Sequence, residues 1–182
     1  MFRKLNFDSN TLRRLQEGFV AFDTETTGLT PAYCRIIEVG AVAFRGGNKI
    51  DAMGTVVQSC RRNPCESINH IGSEELSRAP LPEKVYPELL EFFERHACPT
   101  VLLVGHNAPF DMKFLDSELR QLALVANIEY VDTLQLARRK LVLPNYKQGT
   151  IEHYFGLHNA AAHRAKEDAE TCGEILLRLL NL

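Results

Sequence analysis

A chain of 182 residues with 45% hydrophobic content can build one good core but is short for two, so a single domain is expected. Its formal net charge of −2 and pI near 6.3 exclude an overall basic field that holds a long nucleic acid by counterion release, so any polyanion has to be gripped locally. The five cysteines show no C-x-x-C spacing, "MFRKLNFDSN" contains no sustained apolar stretch and no run reaches membrane-spanning length, which together lead us to expect a reduced, soluble, unsecreted, cytoplasmic protein.

Along the chain, "SNTLRRLQEG" reads as a short helix closed by Gly18, and residues 1–17 are expected as a helical extension ahead of a domain over 18–182. Apolar runs at 19–23, 36–44 and 50–57 have strand composition, and "TGLTP" and "RGGNK" between them are short enough to make neighbours antiparallel. From "PEKVYPELLEFFERHA" the pattern becomes helix, then the strand "TVLLVGHN", the helix "PFDMKFLDSELRQLAL", a brief strand "IEYV" and further helix. "LVLPNYKQG" reads as a mobile loop before the last two helices. A meander followed by alternating β and α predicts an α/β fold, with a mixed sheet covered by helices.

The unusual residues are acids. In "VAFDTETTGL" an apolar strand ends with Asp23 and Glu25 one residue apart, hence on the same face. Two carboxylates so close raise each other's pKa unless a cation sits between them, and oxygen ligands suit Mg²⁺ or Mn²⁺; the plainer alternative is a strand end with two solvated acids. Asp111, behind Pro109 in "VGHNAPFDMKFL", sits in a first helical turn where an acid often only offsets the dipole, yet Asp111, Leu115, Leu119 and Leu122 follow helical spacing and place it on the core stripe. The last helix repeats the pattern with Asp168, Cys172, Ile175, Leu176 and Leu179, while Glu167 and Glu170 fall on other faces.

An unpaired acid on a buried stripe is costly, so three separate segments each sending a carboxylate inward point to one shared cation site. His163, five residues before Asp168, stands at a helix start; alone it reads as a cap or surface residue, and beside a metal site as a base for water. His96, His153 and His158 have no such setting and are read as structural. Asp132 is read as a helix cap, with Arg138, Arg139 and Lys140 favouring that helix's C-terminal end or touching a phosphate backbone. Glu38, inside the apolar run "RIIEVGAV", requires a polar partner if buried.

"FDTETTGL", "HNAPFDMKFLDSEL" and "HRAKEDAE" resemble, in order and spacing, the three motifs of the DEDDh family of 3′–5′ exonucleases, which includes the proofreading epsilon subunit of bacterial DNA polymerase III and stand-alone relatives. The likeness runs from about residue 18 to residue 180. It implies a ribonuclease H-like fold with a five-stranded mixed sheet, two divalent ions, Mg²⁺ or Mn²⁺, on Asp23, Glu25, Asp111 and Asp168, and His163 as general base. It also implies Thr26 and Leu29 beside the terminal nucleotide, Asn107 and Phe110 of "NAPF" lining the same cleft, and His70 of "INHIGSEEL" touching substrate.

The implied activity is release of nucleoside 5′-monophosphates from DNA 3′ ends, single-stranded or frayed, in proofreading or repair, with possible polymerase association. Two departures stand out. Where close relatives carry a Glu five residues before that His, this chain has Cys65, with Glu66 one place away, and it stops at Leu182, where the epsilon subunit continues into a polymerase-binding tail. The alternatives are an exoribonuclease of the same family, since sugar choice depends on how the cleft treats a 2′-OH, and a non-catalytic nucleic-acid-binding or polymerase-accessory module, which predicts a damaged acid set.

Overall fold

The structure, a computed structural model, describes residues 1–96, 101–159 and 161–182. The ends of the expected helix at Ala97 and of the expected strand at Thr100, together with Cys98, lie outside the described residues. The elements run β1 (Phe2–Lys4), α1 (Ser9–Glu17), β2 (Gly18–Thr26), β3 (Ile36–Arg45), β4 (Asn48–Val56), α2 (Glu66–Asn69), α3 (Ser73–Arg78), α4 (Pro82–His96), β5 (Val101–Gly105), α5 (Pro109–Gln121), β6 (Ile128–Asp132), α6 (Thr133–Lys140), α7 (Gln148–Phe155) and α8 (Ala165–Leu180). The strands form one sheet in the order β1-β6-β5-β2-β3-β4. β2, β3 and β4 make the antiparallel meander, and β5, β6 and β1 add parallel to it.

The sheet therefore has six strands among the described residues, one more than expected. The addition is β1, whose three residues are too few to show an alternation; its register on β6, Phe2 opposite Ile128 and Lys4 opposite Tyr130, comes from a pairing across the chain. "LVLPNYKQG" is also more tied down than its composition suggests. The Tyr146 hydroxyl donates to the Leu141 carbonyl at 2.9 Å, the Tyr146 carbonyl lies 2.8 Å from His106 Nε2, and Gln148 and Gly149 already belong to α7. Among the described residues the cysteines Cys34, Cys60, Cys65 and Cys172 are free, and no helix is long and apolar enough to cross a membrane.

Strand alternation sorts the core into two layers. Val20 and Phe22 of β2 pack with α4 and α5 through Leu89, Phe93 and Leu115, while Phe19 and Ala21 pack with α8 through Cys172, Ile175 and Leu179. β3 is buried on both faces, as a central strand with helices on either side must be. Continuing the period, Asp23 and Glu25 extend the α8-facing row, and Thr24 between them turns toward α5.

How close the start of α8 comes depends above all on Gly40. A Cβ at Gly40 of β3 would stand 2.1 Å from the carbonyl carbon and oxygen of Ala165 and 2.3 Å from the Lys166 nitrogen. The helix start that carries Asp168 thus rests directly on the strand backbone, where no side chain can yield. We expect Gly40→Ala to destabilise the fold by about 3 kcal/mol, at the upper end of overpacking costs, and to lower activity by displacing α8. Thermal melts and turnover of the same preparation check this; a variant as stable and as active as the parent contradicts it.

Candidate active site

Three element ends meet at the C-terminal end of the inner strand β2: the last residues of β2, the first turn of α5 and the first turn of α8. Asp23, Glu25, Asp111, His163 and Asp168 all line a single cleft of about 630 Å³. The five residues singled out as catalytic are therefore brought together from three distant segments. Glu25, His163 and Asp168 each present a ligand atom within 4.8 Å of the others.

Each acid is held differently. Asp111 is buried, and its Oδ1 accepts a hydrogen bond from the Thr24 hydroxyl at 2.6 Å, so the residue between the two strand acids fixes the third. Asp168 accepts from the Asn159 side-chain amide at 2.6 Å and from the His163 backbone N–H at 2.9 Å. Accepting that second bond, Asp168 holds His163 in a left-handed backbone conformation, φ +67°, with the histidine itself exposed on the cleft. A non-glycine residue in that region is strained, and the Asp168 bond is one of the contacts that hold it there.

The electrostatics follow from burial and crowding. Burial, then the nearby Asp111, Asp168 and Glu25, raise Asp23 well above the usual carboxylate range. Glu25 is pushed up to about 8, by burial first and Asp168 second, and Asp111 to about 7, chiefly by burial. Asp168 is also raised, its burial outweighing the two bonds it accepts. Among the described residues no lysine or arginine makes an ion pair with any of the four. Carboxylates that crowd together without an ion-paired lysine or arginine, beside the His163 imidazole, are the donor set of a hard divalent ion, and the four acids fit that role.

Glu38, one strand over, shows the contrast. It is as buried as Asp111, but Arg164 Nε and Nη2 reach its Oε1 at 2.9 and 2.7 Å and the Ala165 N–H reaches its Oε2 at 3.0 Å. That is the partner the sequence required and did not name, and it pins the residue next to His163. Arg164→Ala leaves a buried carboxylate short of its cation; we expect a loss of about 2–3 kcal/mol, read as a lower melting temperature. An unchanged melting temperature would show that the bridge is not needed.

The expected substrate contacts divide. Leu29, 83% exposed, joins Asn107 and Phe110 around a chamber of about 250 Å³ that shares Asn107 and Phe110 with the main cleft. Asn107 is held at φ +61° with its N–H bonded to Asp132 at 3.0 Å, and Asp132 also caps α6 through the Leu134 N–H, as read from the sequence. Thr26 and His70 do not line the cleft. The Thr26 hydroxyl is turned to the Gly28 carbonyl at 2.7 Å, and His70 is exposed at the left-handed end of α2, φ +58°. Its neighbour Asn69 is the buried one, with its amide beside Glu25. Sequence reading also passed over Asn159, whose only signal would have been its side chain meeting Asp168 nine residues on.

The fold is ribonuclease H-like, and its cleft is built on carboxylates. Residues 20–176 match the family described as Exonuclease, and the chain belongs to that family. It is 37% identical over 172 residues to the DNA polymerase III subunit epsilon of Treponema pallidum, covering 89% of this chain and 76% of that protein. To the DNA polymerase III PolC-type of Caldanaerobacter subterraneus it is 36% identical over 171 residues, spanning 91% of this chain and 12% of that much longer protein. Two solved structures share the fold. Exonuclease X in complex with 5′ overhanging duplex DNA superposes with a TM-score of 0.72 at 24% identity, covering 90% of this chain and 91% of that one. The nuclease domain of 3′hExo, a DEDDh family member, bound to rAMP, gives a TM-score of 0.77 at 16% identity, with coverage of 91% and 92%.

Proposed function

We propose that the chain removes nucleotides one at a time from DNA 3′ ends, releasing nucleoside 5′-monophosphates in a proofreading or repair role, with Mg²⁺ or Mn²⁺ held by Asp23, Glu25, Asp111 and Asp168. The observation that carries this reading is the convergence of four acids, none ion-paired with a lysine or arginine among the described residues, and His163 on one cleft. When bound, a pair of divalent ions supplies positive charge to the attacking and leaving oxygens of an in-line phosphodiester displacement. That also answers the charge of the chain, because a net −2 surface offers no general field for a polyanion.

The chain's own groups supply the rest. The His163 ring, exposed on the cleft and oriented by the Asp168 bond to its backbone, takes the proton from the attacking water. Leu29 and Phe110 grip the terminal base between apolar surfaces, a contact that accepts any base because each has a π-face. Lys147 also lines the cleft and reaches for the phosphate backbone of the entering strand. The relatives that carry polymerase III names support a polymerase partner for this chain.

The test is digestion of 5′-labelled single-stranded and mismatched duplex DNA in Mg²⁺, in Mn²⁺ and in excess EDTA. A ladder shortening from the 3′ end in either metal, and none in EDTA, is expected. Cleavage that persists in EDTA removes the metal, and matched RNA digested faster than DNA reassigns the sugar preference.

A further inference from the structure

Asn69, at the end of α2, is an unusual polar residue near the site. It is fully buried, and its Oδ1 accepts from Asn63 Nδ2 at 2.9 Å and from the Ile71 N–H at 3.3 Å. Since a backbone N–H can only donate, the Ile71 bond settles which end of the Asn69 amide is oxygen. Asn63 is settled in the same way, its Oδ1 accepting from the Cys65 N–H at 3.0 Å while its Nδ2 also reaches the Ile71 carbonyl at 2.9 Å. Asn69 Nδ2 is thereby aimed away from this network, and among the described residues it has no formed hydrogen bond. A buried donor left over in this way is costly unless a function uses it.

The Glu25 carboxylate is what stands beside it. The amide is close enough to favour the ionised carboxylate, although the two make no formed bond. Neither Asn63 nor Asn69 lines the cleft, so neither is placed to touch a nucleotide. The segment is anchored at this end of the sheet by Ile71, which packs on Ile37 of β3, one residue before the Glu38 that pairs in register with Glu25.

We propose that Asn69 is a positioning residue for Glu25: its Nδ2 donates to one carboxylate oxygen and leaves the other for a divalent cation, while Asn63 keeps the amide from flipping. The inference rests on the reading of Glu25 as a metal ligand. Partners of this kind, one step removed from the cation, set ligand orientation, and losing one weakens metal binding by about 10–100-fold.

The test is a double-mutant cycle on the metal-free full chain, read by Mn²⁺ titration with calorimetry. Asn69→Leu removes the donor at similar volume. In the parent background it is expected to weaken Mn²⁺ binding by about 10–100-fold, and in a Glu25→Gln background to have almost no further effect, because the two residues act as a unit. An equal loss in both backgrounds, or unchanged affinity, overturns the proposal. Should Asn69→Leu fail to fold, Asn69→Asp retains an oxygen for Asn63 and the Ile71 N–H and sets a second oxygen against Glu25. It is expected to lower the metal-free melting temperature at pH 8, and Glu25→Gln is expected to remove that loss; the same drop in both backgrounds again overturns the assignment. Mn²⁺ failing to bind the parent chain at all would instead defeat the metal reading, and the melting cycle would still decide whether Asn69 faces Glu25.

Discussion

Asp23→Asn is expected to abolish turnover, on the order of a 10⁴-fold loss in kcat, while making the metal-free protein more stable. Both effects have one cause. Asp23 is the acid most crowded by the others, and burial together with Asp111, Asp168 and Glu25 holds its carboxyl well above the usual range. Replacing it removes the cost of keeping a carboxyl buried among other acids in the free protein, and removes a ligand from the loaded one.

Glu25 sets the pH window. Its carboxyl rises from an ordinary 4.5 to about 8 on folding. The folded chain therefore holds a proton that the unfolded chain releases, and stability without metal falls as pH rises between those two values. With allowance for partial exposure, the cost of ionising this acid near pH 8 is about 3 kcal/mol, roughly 6–12 °C in melting temperature for a chain of this size. Metal-free protein should thus melt lower at pH 8 than at pH 5, with Asp23→Asn flattening the slope. Mg²⁺ should restore the parent at pH 8 and release protons as it binds. A metal-free melting temperature that climbs from pH 5 to pH 8 would contradict this.

The second large effect belongs to His163. Replacement by Ala is expected to lower kcat by about 10²–10⁴, the usual contribution of a positioned base. Because His163 also lies within 4.8 Å of ligand atoms on Glu25 and Asp168, a ligand role has to be separated from a base role. The p-nitrophenyl ester of thymidine 5′-monophosphate does this: its leaving group needs no protonation, so kcat on it reports water activation alone. Loss of kcat with Mn²⁺ affinity held within a few-fold identifies a base. Full kcat, or a loss matched by the loss of Mn²⁺ affinity, does not.

Much of this site was readable because the informative residues break a pattern. Asp23 and Glu25 interrupt an apolar strand at a spacing of two, and Asp111 and Asp168 interrupt apolar helix faces at spacings of three and four, so periodicity alone turns them inward. Local turn and cap chemistry was equally direct for Asp132 at the start of α6. What did not show were pairings between distant segments whose members look ordinary one at a time. Glu38 and Arg164 lie 126 residues apart, Thr24 and Asp111 lie 87 apart, and nothing in either local sequence names the other.

β1 escaped notice for a related reason, three residues being too few to carry a period. His70 and Asn69 show how fine the limit is. The resemblance drew attention to the histidine, and nothing in the local sequence announced that a left-handed turn at His70 buries the neighbouring amide beside Glu25.

The measurement that bears most directly on the four acids is anomalous diffraction at the manganese edge from crystals soaked in Mn²⁺ with thymidine 5′-monophosphate. Anomalous peaks are expected in the cleft between Asp23, Glu25, Asp111 and Asp168, lost on substitution of Asp23 by Asn. An active protein whose manganese peaks fall elsewhere, or whose cleft binds the nucleotide with no metal between these carboxylates, would contradict that assignment.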